Sequence, residues 1–290
     1  MSVHLNKFLK TISLVFLMFT FQPASFSEEK KVDFIETQWS FNGIFGTFDR
    51  ASLQRGYQVY QEVCSGCHSV QHLSYRNLSE KGGPEFSIEE AKAIASQFEI
   101  EDGPNSDGEM FMRPARLSDN FVKPYPNVEA STAANGGAYP PDMSVLTKAR
   151  AGGADYIYSL LLGYEEAPVD LELDDGVYYN KYMPGNKIKM SEPISEGIVE
   201  YSDGTNPTKS QIAKDVTTFL VWTAEPHLES QHKMGFKVII YLIILITLVY
   251  MSKQKVWSRF DSNKEEEEET FDKVEKVLTE YEGEDPKTFK

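Results

Sequence analysis

The stretch VCSGCHSV, residues 63–70, contains both cysteines of a 290-residue chain. Two residues separate Cys64 from Cys67, and His68 follows the second cysteine directly. A C-x-x-C pair can form a disulfide, act as a redox dithiol or supply half of a zinc site. The adjoining histidine is what distinguishes this pair, because it places a nitrogen ligand for a metal beside the two thiols.

The run C-x-x-C-H is the attachment signature of c-type haem. Each thiol adds across a vinyl group of the macrocycle, and the histidine binds the iron from one face. Cys64 and Cys67 are about one helical turn apart, so both vinyl groups lie within their reach. We predict one covalent haem c on Cys64 and Cys67, with His68 as an axial ligand of the iron.

The competing interpretations of the motif lack partners in the sequence. Zinc would need a second pair of Cys or His ligands at close spacing. Beyond the predicted leader, the other histidines are His72, His227 and His232. A thioredoxin-like dithiol would lie within a βαβ pattern, which the sequence does not show.

The second axial ligand is less well defined by the residues alone. In small cytochromes a methionine from a late loop, ahead of the final helix, binds the other face of the iron. The late methionines are Met183 in KYMPGN and Met190 in KIKMSEP. Spacing favours Met190, and it leaves Met183, a histidine or an open sixth position as alternatives.

The first residues have the pattern of a secretory signal peptide. Lys7 and Lys10 precede an apolar run of eleven residues, 11–21, which is short for a membrane span. Small residues at Ser25 and Ser27 suggest cleavage before Glu28. We predict a signal peptide over residues 1–27, with an uncleaved anchor as the alternative.

A second apolar segment, residues 234–251, lies near the other end. Its unbroken part, residues 238–251, would form about 21 Å of helix, and the residues before it extend this toward the roughly 30 Å of a hydrocarbon core. A buried core helix is the alternative, but no face of the segment is polar. We predict a transmembrane helix over residues 233–252, an exported periplasmic domain over residues 28–232 and an acidic cytoplasmic tail over residues 253–290. Export sets this single-pass topology in the cell inner membrane.

The excess negative charge lies in the predicted external domain. Residues 28–231 carry 32 acidic and 17 basic residues, and residues 232–290 carry 12 and 10. Such a surface makes nucleic acid an improbable partner and would attract a basic protein, although it can also serve solubility alone.

Helical periodicity marks both ends of the external domain. The first run, ASLQRGYQVYQEVC, puts Leu53, Gly56, Tyr57 and Tyr60 on one face. The last run, TKSQIAKDVTTFLVW, begins with a capping box of Thr208 and Gln211, and its apolar face comprises Ile212, Val216, Phe219 and Leu220. SIEEAKAIASQF and GADYIYSLLLGY also predict helices, and VYYNKYMPGNKIKM a small hairpin. The Gly-, Pro- and Asn-rich segments between them predict loops folded around something other than a large apolar core.

Taken together, these segments resemble the cytochrome c1 family, the membrane-anchored haem subunits of quinol–cytochrome c reductase. The resemblance covers roughly residues 39–257. It is carried by WSFNGIFGTFDRASLQRGYQVYQEVCSGCHSV, YRNL, KPYPN, AANGGAYPPDMS, ARAGGADYIYSLLLGY, YYNKYMPG and AKDVTTFLVWTAEPH. It implies a mainly α fold: a c-type cytochrome domain with long loop insertions, plus one C-terminal transmembrane helix.

The resemblance also implies roles for individual residues. Met190 occupies the position of the family's second iron ligand, and Arg150 matches an arginine associated with a haem propionate. Tyr156 and Asn135 fall where the family lines the haem pocket, and Pro140 matches a proline packed near the ring. Surface charge, packing or a turn is the alternative role for the last four.

By the same resemblance, the chain would take electrons from a Rieske iron–sulfur protein and pass them to a soluble or membrane-anchored cytochrome c. Cytochrome b would be its partner in the membrane, in a dimeric complex. No substrate bond would be made or broken on this chain, which would be the redox subunit of a larger oxidoreductase. Two alternatives are a stand-alone membrane-anchored carrier and a haem-based sensor.

Two features depart from the family pattern. No cysteines remain for the additional disulfide of some bacterial relatives, and the chain continues into an acidic tail, DSNKEEEEETFDKVEKVLTEYEGEDPKTFK. FDKVEKVL predicts a short amphipathic helix in a solvated tail.

Overall fold

The computed structural model describes residues 32–282, without the side chains of residues 259–266 and 278–282. The predicted signal peptide therefore lies outside the described residues. Within them the chain is mainly helical with two short hairpins, and it ends in one long apolar helix, as predicted. The helices are α1 (Arg50–Val59), α2 (Ile88–Ala95), α3 (Val128–Ala134), α4 (Gly153–Leu162), α5 (Lys209–Ala224) and α6 (Leu228–Glu282). The strands are β1 (Glu99–Asp102), β2 (Phe111–Pro114), β3 (Tyr178–Tyr179) and β4 (Lys187–Ile188). Shorter helical turns cover Tyr60–Cys64, Tyr75–Ser79 and Pro184–Asn186.

Helices α1 and α5 pack against each other and form the centre of the domain. Both predicted apolar faces are buried, which confirms the periodicity assignments. At the crossing, a Cβ atom on Gly56 would lie 2.1 Å from the carbonyl oxygen of Asp215 and 2.8 Å from Cβ of Phe219. The two helices therefore approach more closely here than any residue other than glycine would permit.

A buried carboxylate reinforces this crossing. Asp215 is fully buried in α5 and accepts hydrogen bonds from Ser52 Oγ at 2.6 Å and Arg55 Nε at 2.9 Å, both in α1. The predicted capping box forms only in half: Thr208 Oγ1 accepts from the backbone N–H of Gln211, but the Gln211 amide donates to Asp215 at 3.0 Å. The Gln211 side chain binds the buried carboxylate of Asp215 instead of the backbone of the N-cap residue, because a buried carboxylate without partners costs free energy.

The expectation that the loops surround something other than a large apolar core is wrong in part. Loop residues contribute many of the buried apolar side chains, among them Val70, Leu73, Phe121 and Met143, and Tyr75 adds another from a short helical turn. The Tyr75 and Phe121 rings stack at 4.8 Å between centroids. Residues that lack periodicity thus pack on the α1–α5 pair through aromatic contacts.

Two further elements differ from the sequence prediction. The hairpin of β1 and β2, paired from Glu99↔Pro114 to Asp102↔Phe111, was not predicted, because its mostly exposed residues show little apolar alternation. Helix α3 lies in a segment predicted as loop, and its N-cap Asn127 accepts a hydrogen bond from the N–H of Ala130. The predicted small hairpin is confirmed by the pairing of β3 with β4.

Helix α6 runs without interruption for 55 residues, about 82 Å at the usual rise. Within the part of the chain that the structure describes, Leu228–Ser258 is the one helical segment long and apolar enough to cross a membrane, and its apolar 18-residue stretch has a mean hydropathy of 2.3. No residue of that stretch is buried within the chain, unlike the residues of a core helix in a soluble domain. The helix continues through the position predicted as the start of the tail.

The glycine at the α1–α5 crossing gives a stability prediction. Gly56→Ala should lower the free energy of unfolding by about 1–3 kcal/mol, because the added methyl group meets backbone atoms of α5. Gly235→Ala is the control, since no atom lies within 4 Å of its Cβ position in α6. Thermal unfolding of the full chain in detergent, followed by circular dichroism, measures both. If Gly56→Ala unfolded at or above the wild-type temperature, as for an ordinary exposed helical glycine, the close crossing would be refuted.

Candidate functional site

The C-x-x-C-H segment begins at the C-terminal end of α1. The last turn widens into a π-helical turn over Tyr60–Cys64, in which the N–H of Ser65 donates to the carbonyl of Tyr60 at 2.8 Å. The N–H groups of Cys67 and His68 both donate to the carbonyl of Cys64, at 3.1 and 2.9 Å. A tight turn anchored on the core helix thus brings the two thiols and the imidazole together.

The thiol chemistry differs from that of a redox dithiol. Both cysteines are free thiols, Cys64 half-buried and Cys67 exposed. Burial, with a smaller contribution from Cys67, raises the pKa of Cys64 to about 12. Redox-active C-x-x-C cysteines have a lowered pKa, because the thiolate is the reactive form. Cys64 therefore does not fit the role of a nucleophilic redox thiol.

The imidazole of His68 is oriented for metal binding. Its Nδ1 lies 2.8 Å from the carbonyl oxygen of Pro141. A carbonyl can only accept a hydrogen bond, so Nδ1 carries the proton and Nε2 retains a lone pair. Burial lowers the pKa of His68, although Pro141 and the nearby Asp142 act in the opposite direction. A neutral imidazole with one nitrogen held by a carbonyl is the usual form of a histidine ligand.

Asp142 fixes the turn that carries the Pro141 carbonyl, a role that the sequence analysis missed. Its Oδ2 accepts from Ser69 Oγ at 2.7 Å and from the N–H of Gln71 at 3.0 Å, and its Oδ1 accepts from the N–H of Ser144 at 2.9 Å. Burial acts to raise the pKa of Asp142, but these hydrogen bonds outweigh it and the pKa lies below its ordinary value. The only signal in the sequence is an Asp directly after Pro-Pro, which is typical of a turn.

A cleft lies beside the motif. Its volume is about 230 Å³, below the roughly 300 Å³ at which pockets for drug-sized ligands begin, so it accounts for only part of a macrocycle. Its lining comprises Cys67, Ser69, Gln71, Lys123, Pro124, Tyr125, Asn127, Val128, Ser131, Tyr139 and Pro140. Pro140 lines this cleft together with Cys67. Asn135 caps the C-terminal end of α3, and its Nδ2 donates at 2.7 Å to the carbonyl of Ser131, a residue of the lining.

The other predicted residues form a second group around α4. Tyr156 is buried, and its hydroxyl donates to the sulfur of Met183 at 3.6 Å. Burial raises the pKa of Tyr156 while the guanidinium of Arg150 opposes the rise, which shows that the two side chains are neighbours. Met190 is half-buried, and its carbonyl accepts from the Tyr164 hydroxyl at 3.1 Å.

The residues present fit a covalently attached haem better than a bare metal ion. The turn that borders the cleft through Cys67 carries two cysteines that form no disulfide and one imidazole whose Nε2 keeps its lone pair, which is the set that covalent attachment requires. Among the described residues, no group of three or more His, Cys, Asp or Glu side chains is arranged to hold a metal ion.

Comparison with known proteins agrees with the motifs. The model of the Cytochrome C1 family matches residues 39–260. A "Cytochrome b/c1" of Bradyrhizobium diazoefficiens is 48% identical over 240 residues, which are 76% of this chain and 35% of that protein. A "Cytochrome c1-2, heme protein, mitochondrial" of Solanum tuberosum is 46% identical over 226 residues, 78% of this chain and 86% of that protein. A "Cytochrome b-c1 complex catalytic subunit, mitochondrial" of Candida albicans is 45% identical over 227 residues, 78% of each.

The chain spans about a third of the length of the Bradyrhizobium protein and most of the length of the other two. The family match covers the region in which the sequence motifs lie, and it includes the C-x-x-C-H segment and the first part of α6. The resemblance seen in the sequence is therefore confirmed, and the chain belongs to the cytochrome c1 family.

Proposed function

We propose that this chain is the haem c subunit of a quinol–cytochrome c reductase complex. It takes an electron from a Rieske iron–sulfur protein and passes it to a cytochrome c. The observation that carries the proposal is a pair of cysteines that form no disulfide, on the same turn as a histidine whose Nδ1 is held by the Pro141 carbonyl. The relatives named as a heme protein, as cytochrome b/c1 and as a subunit of the b-c1 complex support the same assignment.

The cofactor would be a single haem c, which supplies a one-electron redox couple. Cys64 and Cys67 would hold it through thioether bonds, and His68 would bind the iron through Nε2. The Pro141 carbonyl keeps that nitrogen unprotonated and orients the ring, and Asp142 keeps the carbonyl in place. The chain's own contribution is thus attachment, orientation and partial exclusion of water; it makes and breaks no substrate bond.

Met190 is the proposed second axial ligand. The hydroxyl of Tyr156 donates to the sulfur of Met183, so that thioether already has a partner. The Tyr164 hydroxyl, two residues beyond the helix that carries Tyr156, fixes the backbone of Met190. Family resemblance favours Met190, and the bond from Tyr156 makes the Met183 sulfur the less available of the two.

The remaining pocket residues are assigned supporting roles. Arg150, which is exposed and adjoins Tyr156, would pair with a haem propionate. Pro140 would pack near the ring, since it lines the cleft with Cys67. Tyr156 would border the pocket from α4, and Asn135 would support it from behind by fixing the end of α3.

Membrane attachment completes the proposal. A cleaved leader at residues 1–27 would export the domain to the periplasmic face of the cell inner membrane, and α6 would cross the membrane once. Cytochrome b would pack against this span in a dimeric complex. The exposed apolar surface of the segment Leu228–Ser258 supports this, because a soluble domain would bury it.

The axial ligand can be tested by substitution. Met190→Leu should lower the midpoint potential and abolish the methionine–iron charge-transfer band, because a thioether favours ferrous iron and axial ligands move haem potentials over about 0.8 V. Met183→Leu is the matched control and should retain both properties. Optical redox titration measures the potential and the band together. Retention of the band in Met190→Leu with its loss in Met183→Leu would move the ligand to Met183.

The acidic surface predicts a salt-dependent reaction with a basic cytochrome c. Glu101, Glu109, Glu166, Asp170 and Glu172 are exposed. Raising the salt from 0.1 to 1 M shortens the Debye length from about 10 Å to about 3 Å, so the association rate should fall by about tenfold or more.

Charge-neutralising variants make the salt test specific. Replacing Glu166, Asp170 and Glu172 by their amides should lower the stopped-flow rate at low salt. The same change at Glu267, Glu268 and Glu269, in the proposed cytoplasmic tail, should not. Rates that stay constant with salt, or that respond equally to both triple variants, would reject electrostatic docking on the haem domain.

Two truncations test which parts of the chain are needed for haem attachment and which for assembly. Ending the chain after Gln231 should release a soluble domain that keeps its haem and its spectrum, because Glu229 stays paired with Arg50. Ending it after Ser262 removes the glutamate run and should leave a membrane-bound, assembled cytochrome. Cell fractionation with haem staining shows where each variant lies and whether it carries haem. Co-purification of cytochrome b shows whether it assembles. Loss of haem in the first variant would make the span part of the fold, and loss of assembly in the second would make the tail a binding element.

A further inference from the structure

The loop of residues 42–47, which precedes α1, exposes two large apolar side chains. Ile44 is 74% exposed and Phe45 is 73% exposed, although Trp39, Phe41 and Phe48 on either side are buried. The segment SFNGIFGTF, residues 40–48, contains no charged residue. A loop tip in water would ordinarily carry polar side chains, so this composition requires an explanation.

The loop has a defined shape that holds its tip outward. Its backbone closes through hydrogen bonds from Gly46 N to Gly43 O at 3.1 Å and from Thr47 N to Ser40 O at 3.0 Å. Gly43 has a φ of +83°, and a Cβ atom on Gly46 would lie 2.1 Å from the Phe41 carbonyl oxygen. The stacked rings of Trp39 and Phe41 fix one stem to the core. The conformation of the turn therefore keeps the Ile44 and Phe45 side chains exposed.

Three contacts hold the loop against the start of α6. The N–H of Phe48 donates to Glu229 Oε1 at 3.0 Å, and the carbonyl of Gly46 lies 3.1 Å from His232 Nδ1. The Phe45 ring lies 6.2 Å from the Phe236 ring, between centroids. The loop therefore runs beside the first three turns of the helix, where the apolar segment begins.

The position of the loop tip along the axis of α6 indicates which region of a membrane would surround the tip. Lys233 and Lys237 flank Phe236, and the unbroken apolar run starts at Val238. Lysine ammonium groups together with aromatic rings are typical of the boundary between lipid headgroups and acyl chains. The Phe45 side chain is level with that boundary, and Ile44 precedes it in the same turn.

We propose that residues 42–47 form a second membrane contact of this chain, in which Ile44 and Phe45 insert into the acyl-chain boundary of the bilayer beside Phe236. The inference rests on the membrane attachment proposed above. Its occupant is lipid because the patch is continuous with the exposed surface of the span and lacks charge. With Arg50 paired to Glu229 at 2.7 Å, two membrane contacts would hold the domain at a fixed tilt on its anchor.

Spin labelling of the full-length chain in nanodiscs of phosphatidylcholine and phosphatidylglycerol tests the depth of the loop. Single variants Phe45→Cys and Ile44→Cys carry the label at the tip, and both positions are exposed enough to tolerate it. Ile243→Cys reports the span, and Val169→Cys reports a fully exposed loop. The wild-type chain, treated in the same way, measures any labelling of Cys64 and Cys67.

For each label we compare two collision rates, measured from the relaxation of its spin. Molecular oxygen concentrates among acyl chains, and a water-soluble nickel chelate stays in the aqueous phase. The oxygen-to-nickel ratio at residues 44 and 45 should exceed that at residue 169 several-fold and approach that at residue 243. A ratio at residues 44 and 45 equal to that at residue 169, with residue 243 in lipid, would overturn the loop contact alone.

Two further outcomes separate the loop proposal from the assumptions around it. Residue 243 in water would refute the membrane attachment itself, and the loop contact with it. In membranes that contain the assembled complex, labels at 44 and 45 shielded from both agents would mean that a partner subunit covers the loop. That result would also overturn lipid as the occupant.

Discussion

The close approach of α1 and α5 at Gly56 is the constraint on which the rest of the structure depends. Because glycine lets the two backbones touch, Asp215 can reach across and bind Ser52 and Arg55, and the ion pair is shielded by the core. The C-x-x-C-H segment starts at the end of the π-helical turn that continues α1. The position of both thiols and of the imidazole is therefore set by how α1 packs on α5.

Two hydrogen-bonded loops contact this centre and its continuations. The loop that carries Pro141 and Asp142 returns to His68 and fixes its tautomer, which is what the proposed iron ligand needs. The loop of residues 42–47 runs to the start of α6, where Glu229 and His232 bind its backbone. The proposed cofactor site and the proposed membrane contact are thus connected to the same helix pair, so the haem would be held at a fixed height above the membrane.

The sequence predicted the features whose signals are local. Both core helices, the β3–β4 hairpin, the apolar span and the C-x-x-C-H motif follow from periodicity or from spacing within a few residues. Asp142 was missed because its partner Ser69 is 73 residues away, and Gln211 was misassigned because a buried carboxylate outcompeted the local cap. The β1–β2 hairpin was missed because exposed strands need no apolar alternation. The proposed role of Arg150 came from family resemblance alone, whereas Met190 was favoured first by its spacing and then by the resemblance.

The central claim is that Cys64 and Cys67 hold one haem covalently. Trypsin cuts after Arg55 and Arg76, and the peptide between them, residues 56–76, contains Cys64, Cys67 and His68. Mass spectrometry of this peptide from the protein isolated from membranes, treated with an alkylating agent, tests the claim directly. We predict that this peptide is heavier than its unmodified sequence by the mass of one haem, with no alkyl group added. A peptide that carries two alkyl groups and no haem would contradict it.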